Sequence, residues 1–118
     1  MSKLEYKNFN SPDEKRDFDH GKLELVNING GVVGRFTLQP GWQWSKHVKP
    51  IAKTEWCEVP HFQYILSGKM KVRMTDGKEA EFTAGQVIAI PPGHDAWVAG
   101  NEPVVALDWG DASHYAKG

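Results

Sequence analysis

The stretch from Gly85 to Val98, GQVIAIPPGHDAWV, constrains this chain more than any other. A glycine opens it, an apolar β-rich run follows, and Pro91-Pro92-Gly93 stops that run before a second apolar segment. Proline has no N–H to give a sheet ladder and glycine tolerates positive φ, so the pattern predicts strand, tight corner, strand. The residues just past the corner, His94 among them, are therefore aimed in a defined direction.

The rest of the chain is punctuated in the same way. Twelve glycines and seven prolines interrupt short apolar runs, which predicts an all-β domain of many short strands. From residue 22 apolar positions alternate (Leu23, Leu25 against Val26, Ile28), Asn29-Gly30 marks a hairpin turn, and Val32 to Leu38 reads as the return strand. Trp42 to Lys49 is predicted as a strand with Gln43, Ser45, His47 and Lys49 on one polar face. Residues 51–59 read as a loop holding Trp56 and Cys57. His61 to Leu66 follows as a strand with His61, Gln63 and Ile65 on one face and Phe62, Tyr64 and Leu66 on the other. Lys69 to Met74 and Glu79 to Phe82 form a hairpin about Asp76-Gly77, and Val104 to Trp109 is the last strand. Ahead of all this, Ser11-Pro12-Asp13-Glu14 has the form of a helix start, predicting a turn or two of helix anchored by Phe18. The expected organisation is an N-terminal extension (1–21), one β domain (22–110) and a polar tail (111–118).

Charge and cysteine usage narrow the function classes. With a net charge of −1 and acids interspersed with bases, the chain carries no electrostatic footprint for nucleic acid or an anionic membrane. No apolar run approaches the roughly 20 residues of a membrane span. A single cysteine and a start, MSKLEYKNFN, without an apolar signal core predict a cytoplasmic protein. Five tryptophans, of which Trp42, Trp44, Trp97 and Trp109 lie in predicted strands, supply core or interface area. Surplus apolar area and the unpartnered Leu4 to Phe9 segment predict a homodimer. No phosphate loop, dinucleotide fingerprint or nucleophile–base pair appears, so no organic cofactor and no catalytic residue is assigned.

Two glycine-anchored motifs resemble those of the cupin superfamily over about residues 32 to 109. The second cupin motif is matched by Gly85, Pro91 and Gly93, with Ala96 where a histidine is expected. The first is matched by Gly41, His47 and Gly68, with Lys49 at its second histidine, His61 at its glutamate, and a longer gap between those two. The resemblance implies a cupin double-stranded β-helix, a small jelly-roll barrel, with a short N-terminal extension. It also implies a divalent ion held inside that barrel.

Only one of the family's four ligand positions is kept as the family writes it, yet strand parity puts His94 on the side of Ala96, two residues or roughly 6–7 Å earlier. His47, His61 and His94 then form a three-imidazole site suited to zinc, nickel or iron, with Cys57 as a further ligand. The bland alternatives are a polar histidine at a barrel mouth and a cysteine buried as a small hydrophobe. Two functions follow from these residues. One is a small-molecule-binding cupin with a His-rich metal site, and the other is a metal-free binding or sensing cupin centred on Lys49, with Gln63 and Tyr64 as ligand contacts.

Overall fold

The computed structural model describes residues 3–109. Nine strands form two antiparallel sheets: β1 (Glu14–Phe18), β2 (Gly21–Ile28), β3 (Gly31–Leu38), β4 (His61–Ser67), β5 (Lys69–Met74), β6 (Glu79–Thr83), β7 (Val87–Ile90), β8 (His94–Val98) and β9 (Val104–Asp108). The larger sheet runs β1-β2-β3-β9-β4-β7 and the smaller β6-β5-β8. The two do not close into a continuous barrel, so each sheet keeps free edges.

Period-2 alternation decides which side chains meet between the sheets. Leu23 and Leu25 of β2, Phe36 and Leu38 of β3, Ile65 of β4, Met70 and Val72 of β5, Ile88 and Ile90 of β7, and Val104 and Ala106 of β9 are all buried in one core. The predicted hairpins are present, and Pro91-Pro92-Gly93 does separate β7 from β8, with Gly93 at φ +88. Gly68, between β4 and β5, is fixed by space as well as by its φ of +84: a Cβ there would lie 2.5 Å from the carbonyl oxygen of Pro103.

Two predicted elements are corrected. Ser11-Pro12-Asp13-Glu14 starts no helix, because the Asp13 carboxylate is taken by the backbone N–H of Asn27 (2.7 Å) and by Lys7 Nζ (3.0 Å). The following residues pair with β2 as β1, Glu14 opposite Leu25 and Phe18 opposite Gly21, and Phe18 packs against the core. The segment expected as an extension thus contributes an edge strand. Trp42 to Lys49 is likewise no strand: it holds the short helix α1 (Trp44–His47), followed by α2 (Lys49–Ala52). Trp44 and Val48 are four apart, and both are buried, which is helical spacing that the Trp-Gln-Trp alternation masks. Asp95 of β8 fixes the entry to α1, accepting from Ser45 N (3.0 Å) and from Gln43 Nε2 (2.9 Å). The tail 111–118 lies outside the described residues.

Candidate metal centre

Cys57, His61 and His94 converge in the interior, their ligand atoms all within 4.8 Å of one another and all three residues buried. His61 is the first residue of β4 and shares its inward face with Gln63 and Ile65. His94 is the first residue of β8, placed by the Pro-Pro-Gly corner. Cys57 is held to that corner by backbone hydrogen bonds: its N–H donates to His94 O (2.8 Å), and its carbonyl accepts from Gly93 N (2.8 Å) and His94 N (3.3 Å).

The hydrogen bonds of the two imidazoles define their tautomers. Nδ1–H of His61 donates to Oδ2 of Asp108 at 2.6 Å, a carboxylate being an acceptor. Nδ1–H of His94 donates to the carbonyl of Pro91 at 2.8 Å. Each ring therefore carries its lone pair on Nε2, and Nε2 of His61 faces Cys57 Sγ at 3.9 Å. The rings stand edge to face, their centroids 5.3 Å apart.

Burial dominates the electrostatics. It pushes the His94 imidazolium down to about 4, helped by repulsion from His61 and opposed by the Pro91 carbonyl. It pushes the Cys57 thiol up to about 12, with the Val59 backbone opposing and Glu58, Asp108 and Asp95 adding to the rise. A neutral His94 imidazole and a protonated thiol thus face the His61 ring, a set that a divalent ion would convert to a thiolate and two nitrogen ligands.

Other candidates from the sequence are placed elsewhere. His47, at the end of α1, points away from the interior, its ring stacked on that of His20 with centroids 4.3 Å apart. It groups with Asp19 and His20 rather than with His61 and His94. Its Nδ1 already accepts the backbone N–H of Gln43 (3.0 Å), so Nε2 carries the proton in the neutral ring and His47 itself has no uncommitted lone pair in that tautomer. Lys49 lies on α2, ion-paired with Glu55 at 3.2 Å beside a shallow surface pocket. Its displacement follows from the helix that replaces the predicted strand. Tyr64 lies on the outer face of β4 with Phe62. Gln63 does line the interior cavity, and its Nε2 donates to Asp108 Oδ2 at 2.9 Å.

Asp108, fully buried on β9, is the site residue that the sequence reading missed. Its signal was present: in Val104-Val105-Ala106-Leu107-Asp108 the acid has the parity of the inward Val104 and Ala106. The cavity beside the imidazoles has a volume of about 20 Å³, bounded by Trp42, Trp44, Gln63 and an apolar wall that includes Phe36, Met70 and Ile90. That is room for one water-sized occupant.

The family model for the cupin domain matches residues 34–110. The chain belongs to the cupin family. Solved cupin structures agree in fold. Oxalate decarboxylase from Bacillus subtilis has a TM-score of 0.60 at 24% identity, over 87% of this chain and 28% of that one. The Lactobacillus farciminis oxalate decarboxylase in complex with formate gives 0.58 at 22%, over 80% of this chain and 30% of that one. A Vibrio parahaemolyticus protein of unknown function gives 0.55 at 11%, over 76% of this chain and 87% of its targeted domain. This cupin spans under a third of the decarboxylases' length, and identities at this level speak for the fold alone. The Bacillus subtilis enzyme has Mn(II) centres. No curated protein matches the sequence. Among the described residues, no helix is long and apolar enough to cross a membrane.

Proposed function

We propose that this cupin binds a divalent transition metal through Cys57 Sγ, His61 Nε2 and His94 Nε2, and presents it to a small-molecule ligand. The observation that carries this reading is the pair of committed Nδ1–H groups. Asp108 and the Pro91 carbonyl orient the two rings so that both lone pairs turn towards one thiol. A carboxylate behind a ligating histidine is the usual outer-shell partner, fixing the ring and raising its basicity. A sulfur and two imidazoles favour zinc, nickel or iron over the oxygen-preferring manganese, and three protein ligands leave a position for a ligand.

When bound, such an ion supplies Lewis acidity towards an oxygen of the ligand. The chain's own residues enclose the site: Trp42, Trp44 and the apolar wall line it and limit the access of bulk water. With a cavity of about 20 Å³, only one end of a ligand enters. The test is metal analysis of untagged protein, followed by cobalt substitution. Near-stoichiometric uptake with a thiolate-to-cobalt charge-transfer band supports the site, whereas protein that takes up neither zinc nor cobalt refutes it.

A homodimer is proposed on a separate observation. On the arm before β1, Glu5 accepts from Asn29 N (2.9 Å) and Lys7 pairs with Asp13, while Leu4 and Tyr6 between them are 91% and 85% exposed. Phe62, Leu66, Val87 and Trp109 also stand out from the larger sheet.

A further inference from the structure

Two side-chain atoms of cavity-lining residues are buried without a hydrogen-bond partner among the described residues: Nε1 of Trp42 and Oε1 of Gln63. Their residues are 3% and 5% exposed, and both line the cavity of about 20 Å³ beside His61 and His94. Native interiors rarely leave such atoms unmet, so each calls for a partner that the polypeptide does not supply.

The chemistry of that partner is narrow. An indole nitrogen only donates, and an amide oxygen only accepts. The Gln63 amide cannot be turned round, because its Nε2 donates to Asp108 and a flip would set oxygen against carboxylate oxygen. The occupant must therefore accept from Trp42 and donate to Gln63. A bare cation meets only the amide oxygen, a bare anion only the indole, and an apolar molecule neither. A protic oxygen meets both, and the cavity exceeds the roughly 10–15 Å³ that one water requires. Immobilising one water costs less than leaving both atoms unpaired.

We propose that Trp42 and Gln63 form a two-point receptor for a single protic oxygen: a water in the ligand-free protein, displaced by the hydroxyl of a small ligand when one enters. The receptor is independent of the metal reading, since both of its groups belong to the folded chain with or without an ion. It places one oxygen, already oriented, in the cavity that the two imidazoles also line.

The experiment is water-to-indole cross-relaxation by NMR on chelator-treated protein. Five indole N–H resonances are expected, and Trp42→Phe identifies the one that belongs to Trp42. The expected result is a Trp42 cross-peak with the sign of a long-lived bound water, lost in Gln63→Leu while the remaining spectrum stays folded. Should Gln63→Leu unfold through loss of its Asp108 contact, Ala106→Val, which fills the cavity with two methyl groups, is expected to remove the same cross-peak. A folded wild-type protein without that cross-peak overturns the proposal, as does a cross-peak that persists in a folded Gln63→Leu or Ala106→Val variant. Repeating the measurement after adding zinc separates the two ideas: failure to take up zinc with the cross-peak intact defeats the metal reading alone.

Discussion

Asp108 and His61 are 47 residues apart in sequence and joined by a 2.6 Å hydrogen bond, both fully or almost fully out of solvent. β4 and β9 are neighbours in the larger sheet, and their inward faces bring the carboxylate directly behind the imidazole. The acid thereby decides which nitrogen of His61 faces Cys57.

Asp108→Asn keeps the shape and removes the charge. Zinc affinity is expected to fall about 10–100-fold, the usual cost of losing an outer-shell partner. Competition titration against a chromophoric chelator measures it. An unchanged affinity would show that His61 is oriented by something else.

Cys57→Ser and His61→Ala are each expected to lower metal content and to abolish the stabilisation that zinc confers on the folded state. Cys57→Ser should also remove the cobalt–thiolate band. His47→Ala is the control: it lies outside the interior group and should leave metal content unchanged. Thermal melts with and without zinc, alongside elemental analysis, read all three.

The metal-free protein should lose stability at both ends of the pH scale. His94 has a folded pKa depressed to about 4, below its unfolded value of 6.5, so its contribution is complete above 6.5 and is lost as pH falls towards 4. Cys57 has a folded pKa raised to about 12, so its contribution is complete below the unfolded 9.0 and is lost as pH rises beyond it. Each limb should have a slope on the order of 1 kcal/mol per pH unit. Urea midpoints across pH test this, with His94→Gln expected to flatten the acid limb and Cys57→Ser the alkaline one.

Gly68→Ala introduces a Cβ 2.5 Å from a backbone oxygen, at a φ of +84. A loss of about 2–4 kcal/mol is expected from the clash and the strained φ together. Chemical denaturation would reveal it, and a change below about 0.5 kcal/mol would mean that the 103–104 segment can retreat.

Sedimentation at micromolar concentration tests the homodimer. A dimer that dissociates when Leu4 and Tyr6 are changed to serine is the expected result, and a monomeric wild-type protein would refute it.

Much of this architecture could be read from residue order, because period-2 runs between glycine turns have one simple interpretation. That reasoning located β2, β3, β4 and the Pro-Pro-Gly corner, and with them His61 and His94. It failed where two periods coexist. In Trp42 to Val48 the alternating tryptophans resemble a strand, while the Trp44 and Val48 pair is what the packed core uses. The misassigned helix carried His47 and Lys49 out of the interior with it. Asp108 escaped notice because an acid at the end of a strand is ordinarily solvated. Only the partner strand β4 shows that this one is enclosed.

The larger sheet ends in two unlike borders, and this limits how copies of the chain can associate. β1 carries Glu14, Lys15, Arg16 and Asp17 in succession, whereas β7 exposes only Val87 and Ala89, with Ile88 and Ile90 turned into the core. Open-ended growth needs the apolar border of one molecule to meet the charged border of the next, a mismatched junction. Joining like to like at β7 would occupy the apolar border of the larger sheet in both molecules. The charged strand β1 is thus a disfavoured border for further strand addition along the larger sheet.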